Sequence, residues 1–151
     1  MSIIQKTATE QLALLNSGEL TSVELTQAYL NQIEQVDGQV GAFLRVETES
    51  ALAQAAAIDQ KRATEAPLGK LAGLPVAIKD ILCTKDTPTT CGSRMLENFQ
   101  PPYNATVVEK IRAADGVILR RTNMDEFAMG QSLIHISEPT RPETNEYSGV
   151  S

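Results

Sequence analysis

The feature that most constrains this chain is a short apolar run, Val76-Ala77-Ile78, which ends abruptly in Lys79 and Asp80. The run lacks the alternation of apolar and polar residues, which predicts a buried strand covered on both faces. In open α/β sheets, ligands bind beyond the carboxyl ends of the strands. The sequence therefore predicts that Lys79 and Asp80 lie beside a ligand crevice.

Periodicity and punctuation residues predict the other elements. We expect helices near residues 8–16, 22–35, 48–64 and 105–114, and strands near residues 42–46, 75–79 and 117–120. A capping box at Thr21 and Glu24 begins the second helix, and Asp37-Gly38 is expected to end it. Because the last helix leads directly into a short apolar strand, as in a βαβ unit, the predicted fold class is α/β.

Length and charge exclude several classes of protein. The chain has 151 residues, enough for one domain, and a net charge of −6, which argues against a surface that neutralises nucleic-acid phosphates. It does not exclude a subunit whose partner holds the nucleic acid. The sequence has no apolar run of about 18 residues and no signal-peptide layout at its start, so we expect no membrane span and a cytoplasmic location.

The cysteines and the histidine leave few catalytic options. Cys83 and Cys91 are predicted to be free thiols in a reducing compartment, with a disulfide as the alternative. No Cys/His cluster has the spacing of a metal site, so no metal is expected. His135 is the only histidine and lies in an atypical tail, so a Ser-His-Asp or Cys-His mechanism lacks a base.

Lys79 is the candidate base. A lysine acts as a base only when neutral, and a solvated lysine titrates near ~10.4. Burial against apolar neighbours lowers the pKa of a lysine, and a neutral amine can deprotonate a serine hydroxyl. The alternative is a solvated or ion-paired side chain. Asp80 points to the opposite face and is expected to anchor a turn rather than to act as an acid.

Two polar segments follow the predicted strands, and each allows two interpretations. Residues 87–93 form either a loop whose backbone approaches another group closely or an ordinary loop. Residues 122–130 form either a pocket rim or a helix cap with Phe127 and Met129 buried. No glycine-rich phosphate loop joins a strand to a helix, which argues against a nucleotide-binding domain.

Four motifs stand out, at residues 73–80, 89–93, 104–110 and 122–130, in order and with consistent spacing. Together they resemble the amino-terminal part of the amidase signature family. Linked motifs over such a length are far more specific than a single match. The resemblance implies a mixed sheet flanked by helices and a serine–cis-serine–lysine amidase.

The sequence of residues 96–99 and 123–130 is similar to the branch of this family that serves tRNA-dependent amidotransferases. This resemblance implies hydrolysis of glutamine and release of ammonia for transamidation of Glu-tRNA(Gln) or Asp-tRNA(Asn). Lys79 then matches the base that works through a bridging serine onto the nucleophile. Met129 and Gly130 match a segment near the glutamine pocket.

The resemblance also implies partners and cofactors. The protein would assemble with two others, subunits B and C, in a heterotrimer. It would need no cofactor itself, whereas the partner subunit would use ATP and Mg to activate the misacylated tRNA.

The chain departs from the family pattern after residue 130. Residues 1–130 are predicted to be the amino-terminal part of an amidase domain, and residues 131–151 a non-family tail. Residues 132–141 resemble a translated sequencing-library adapter, so an assembly artefact is expected. The serine-rich stretch that supplies the bridging serine and the nucleophile is absent, and Ser132, Ser137, Ser148 and Ser151 match none of its positions.

A truncated chain of this kind is expected to be inactive as written and poorly soluble, because strand edges would stay unpaired. Smaller departures are Arg120-Arg121, where Gly-Lys is common, and Asp115, where glycine is usual.

Two rival hypotheses remain at this point. One is a fragment of another amidase signature hydrolase that acts on a different amide. The other is a non-catalytic α/β module that docks on the amidotransferase partners.

Overall fold

The computed structural model describes residues 2–129. Its helices are α1 (Ala8–Ser17), α2 (Ser22–Val40), α3 (Thr48–Ala63) and α4 (Thr106–Ala113). Its strands are β1 (Phe43–Val46), β2 (Pro75–Lys79) and β3 (Val117–Thr122), and single 3-10 turns occupy Ile3–Gln5, Arg94–Leu96 and Glu126–Ala128. Across residues 2–129, each helix is too short or too polar to cross a membrane.

The three strands form one mixed sheet in the order β1-β3-β2. The central strand β3 runs antiparallel to β1 and parallel to β2. Helix α4 leads from β2 into β3, so these elements form the predicted βαβ unit. The α/β class and the mixed sheet flanked by helices are confirmed.

Helices α2 and α3 pack on β3 and bury the main core. Its buried side chains are Leu30, Ile33, Ala51, Ala55, Val117 and Leu119. Gln54 of α3 also binds the backbone of Ile118: its Oε1 accepts from the Ile118 N–H at 3.1 Å, and its Nε2 donates to the Ile118 carbonyl at 3.4 Å. This side-chain amide pairs backbone groups of β3 beyond the end of the paired region of β1.

Helix α2 begins where the sequence predicts but ends later. Thr21 Oγ1 accepts from the Glu24 N–H at 3.1 Å, and Glu24 Oε2 accepts from the Thr21 N–H at 2.9 Å, which confirms the capping box. The predicted stop at Asp37-Gly38 is wrong, because the helix continues to Val40. Gly41 ends it in a left-handed conformation with φ +65°, and the Asp37 carboxylate accepts from the Ala42 N–H at 2.8 Å.

Strand β2 is packed on one face only. Ile78 and Asp80 are 2% and 1% exposed, whereas Ala77 and Lys79 between and beside them are exposed. The prediction that both faces are covered is therefore wrong for the part of the chain that the structure describes. Within residues 2–129, nothing covers the face of β2 that carries Ala77 and Lys79, whereas the face that carries Ile78 is packed.

Candidate active site

Lys79 is the last residue of β2 and lies opposite Thr122, the last residue of β3. Both strand ends are therefore at the same edge of the parallel pair, as the sequence predicts. The Lys79 side chain is exposed, and within residues 2–129 its ammonium group has no hydrogen-bond or ion-pair partner. The described residues present this amine at an open surface and do not bury it against Val76 and Ile78.

Asp80 anchors the loop that follows β2. Its Oδ2 accepts from the Thr90 N–H at 3.0 Å, the Thr90 hydroxyl at 2.5 Å and the Gly92 N–H at 3.4 Å. Its Oδ1 lies 3.6 Å from Nη1 of Arg121. The prediction that Asp80 is a turn anchor on the face opposite Lys79 agrees with these contacts.

Arg121 is the partner that the sequence did not identify. It lies opposite Ile78 in the sheet, is 5% exposed, and donates from Nη1 to the Leu82 carbonyl at 3.0 Å. Burial lowers the pKa of the Arg121 guanidinium, and the Asp80 carboxylate opposes that shift. The available signal was an arginine two residues after Leu119 on the same face of an apolar strand.

The loop at residues 89–93 makes the predicted close backbone approach. Gly92 has φ +68°, and a Cβ atom at this position would lie 2.7 Å from the Met124 carbonyl oxygen. The Phe127 N–H donates to the Cys91 carbonyl at 2.9 Å. The two polar segments that follow β2 and β3 therefore contact each other at the strand ends.

The segment after β3 differs in part from its predicted structure. Asn123 Nδ2 donates to the Gly41 carbonyl at 3.2 Å, and the Asn123 N–H donates to the Ala42 carbonyl at 2.7 Å. Phe127 is half-buried but Met129 is 75% exposed, so the interpretation in which both side chains are buried fails at Met129. Met129 remains a predicted substrate contact at an open surface.

Several predicted features lie outside the described residues. These are Gly130, the histidine at position 135 and the whole of the tail at residues 131–151.

The cysteines are free thiols, as predicted. Burial raises the pKa of the Cys91 thiol, and the charges of Asp80 and Cys83 raise it further. Cys91 is therefore protonated at neutral pH and is a poor nucleophile. The role of Lys79 as a base stays a prediction, and the described residues place it at the open end of β2.

Comparison with known proteins gives the family of this chain. A sequence model of the family described as Amidase matches residues 24–142 of the chain. The chain belongs to this amidase family. It is 57% identical over 130 residues to the A subunit of the glutamyl-tRNA(Gln) amidotransferase of Streptomyces coelicolor, a match that covers 86% of this chain and 26% of that protein.

Solved structures of amidases share the fold. The peptide amidase of Stenotrophomonas maltophilia superimposes with a TM-score of 0.76 at 33% identity, over 81% of this chain and 25% of the amidase. A bacterial aryl acylamidase of the amidase signature family superimposes with a TM-score of 0.76 at 27% identity, over 81% and 26% of the two chains. The chain thus spans about a quarter of the length of the relatives that it matches.

Proposed function

We propose that this chain is the amino-terminal part of a glutamine-hydrolysing amidase subunit. The released ammonia would serve transamidation of Glu-tRNA(Gln) or Asp-tRNA(Asn). The observation that carries the proposal is the 57% identity over 130 residues to the A subunit of a glutamyl-tRNA(Gln) amidotransferase. The solved amidases of other specificity are less similar, at 33% and 27% identity, which favours the tRNA-dependent branch over another amide hydrolase.

In the proposed mechanism, Lys79 is the base. Its amine would accept the proton of a bridging serine, which in turn would deprotonate the serine nucleophile as it attacks the glutamine carboxamide. The serine oxygen forms a bond to the carboxamide carbon, the C–N bond breaks, and the proton held by Lys79 would return through the bridging serine to the nitrogen, which leaves as ammonia. Water would then hydrolyse the glutamyl ester, which releases glutamate and regenerates the serine. Both serines would come from the part of the intact protein that follows residue 130, which would also cover Lys79. Met129 and Gly130 would line the approach to the glutamine.

The proposed partners follow from the same branch of the family. Subunits B and C would bind the intact protein in the cytoplasm, and the partner that holds the misacylated tRNA would use ATP and Mg. The described residues of this chain contribute the base and its supporting strand ends to that assembly.

A chimera tests the proposal. Residues 1–129 of this chain replace the matched part of the Streptomyces coelicolor protein, which is produced together with its partner subunits. We expect the chimera to release ammonia from glutamine and to amidate Glu-tRNA(Gln). Lys79→Ala should lower kcat for glutamine hydrolysis by about 10²- to 10⁴-fold, because the base is lost.

Two controls accompany this measurement. Lys70→Ala removes another exposed lysine and should leave kcat unchanged. Ammonium chloride replaces the product of the amidase reaction, so the Lys79→Ala chimera should still amidate tRNA when ammonium is supplied. Glutamine hydrolysis at the normal rate by Lys79→Ala would refute the proposal. Hydrolysis of other amides without tRNA amidation would instead indicate another amidase.

A further inference from the structure

We propose that Asp80 is a positioning residue that fixes the direction of Lys79 through Thr90 and Arg121. The inference rests on the proposed function, because it concerns the same amine. Lys79 and Asp80 are neighbours at the end of β2, and successive side chains of a strand point to opposite faces. One therefore presents an amine at the open face while the other holds the strand end from the packed face.

The backbone around Lys79 is held on both sides. The Lys79 carbonyl accepts from the Leu82 N–H at 3.0 Å. The Asp80 N–H donates to the Thr122 carbonyl at 3.3 Å, and the Asp80 carbonyl accepts from the Cys91 N–H at 3.2 Å. These bonds join the residues around Lys79 to β3 and to the loop at residues 89–93.

The Asp80 carboxylate binds the same two segments, β3 and the loop at residues 89–93, through its side chain. Thr90 donates to it from both its N–H and its hydroxyl, and Arg121 lies beside its other oxygen. Arg121 belongs to β3, so the carboxylate bridges the loop and the central strand. An ion pair at 5% and 1% exposure carries a large desolvation penalty, so stability alone is a weak reason for it.

A catalytic lysine depends on its backbone to set the direction of its side chain accurately. A lysine side chain has a flexible four-carbon stem, so the backbone sets only the direction of its Cα–Cβ bond in advance. A misplacement of about 1 Å at a reacting group lowers the rate by about 10²-fold. By fixing the Asp80 backbone, the carboxylate sets the direction in which the Lys79 side chain leaves the strand.

The test is Asp80→Asn in the chimera described above. Asparagine keeps the size of the side chain but removes the charge and replaces one acceptor oxygen with a donor. We expect kcat for glutamine hydrolysis to fall by about 10²-fold, with KM changed less than about threefold. Amidation supported by ammonium chloride should stay normal, because the assembly and the tRNA reaction do not need Lys79.

Matched variants separate positioning from stability. Asp59 is also a carboxylate that accepts two backbone N–H bonds, from Ser22 at 2.8 Å and from Val23 at 3.0 Å, but it caps α2. Asp59→Asn should lower the unfolding temperature and leave kcat unchanged. Arg121→Lys keeps the positive charge beside Asp80 and should retain most of the activity.

Thr90→Val provides a second test if the Asp80→Asn chimera fails to assemble with its partner subunits. Valine removes the hydroxyl donor at 2.5 Å from Asp80 but leaves the ion pair intact. We expect about a tenfold loss of kcat at constant KM for a lost hydrogen bond to a charged group. Normal kcat in an assembled Asp80→Asn chimera, or in Thr90→Val when Asp80→Asn does not assemble, overturns the inference. If Lys79→Ala is inactive in that same experiment, the proposed function survives.

Discussion

At the scale of single residues, Asp115 connects three segments. Its two carboxylate oxygens lie 2.9 Å and 2.8 Å from Nζ of Lys61, and Oδ2 accepts from the Gly69 N–H at 2.6 Å. Burial alone would raise the pKa of the Asp115 carboxyl, but the bonds from Lys61 and Gly69 outweigh it and lower this pKa below its ordinary value. Its φ of +60° is a left-handed conformation that glycine adopts more readily than aspartate.

We predict that Asp115→Asn lowers the free energy of unfolding by about 1 kcal/mol at pH 7. Asparagine tolerates the left-handed backbone and keeps an acceptor for Gly69, so the change isolates the ion pair with Lys61. A carboxyl with a lowered folded pKa stabilises the fold above its unfolded pKa near ~3.9, and this contribution disappears as the pH falls through the folded pKa. Urea unfolding of both chains from pH 7 to pH 3 checks this. A difference that is independent of pH would contradict it.

At the scale of elements, replacing glycine with alanine should change the free energy of unfolding in opposite directions at two positions, one exposed and one packed. Gly38 lies inside α2 with nothing within 4 Å of an added Cβ, so Gly38→Ala should raise the free energy of unfolding by about 0.5–1 kcal/mol. Gly69 precedes β2, and a Cβ there would overlap the backbone carbonyl group of Ala114. Gly69→Ala should therefore destabilise the chain by more than about 2 kcal/mol, since backbone has to move.

Thermal or urea unfolding of the two variants measures both effects. The pair is internally controlled, because both changes add one methyl group. Destabilisation by Gly38→Ala would contradict the extension of α2 to Val40.

At the scale of the whole molecule, the strands of the sheet differ in how many of their backbone amides are hydrogen-bonded. Central β3 pairs with β1 and β2, and Gln54 binds the Ile118 amide beyond the end of β1, whereas β2 pairs with β3 alone within residues 2–129. We predict slow amide hydrogen exchange throughout β3, and fast exchange at the β2 amides that point away from β3. Residue-resolved exchange of the chain measures this. Uniformly slow exchange along β2 would show that further residues cover its outer edge.

Local patterns in the sequence were enough to predict much of this protein. They identify the α/β class, the βαβ unit around β2 and β3, the capping box of α2 and the position of Lys79 at a strand end. The reason is that a cap, an apolar run and a strand end are specified by residues within a few positions of one another. Ordered motifs carry the family resemblance for the same reason, because they do not depend on knowing which elements touch.

Tertiary structure alone decided the rest. Asp37-Gly38 resembles a helix stop, but the glycine at position 41 has the left-handed conformation that ends α2. Ala77 is exposed because the described residues cover only one face of β2, which the sequence of the strand does not specify. The pairing of Asp80 with Arg121 joins residues 41 positions apart, and it exists because β2 and β3 become parallel neighbours. The sequence by itself thus determined which residue carries the candidate amine, whereas only the packing of the strands decided what holds that amine in position.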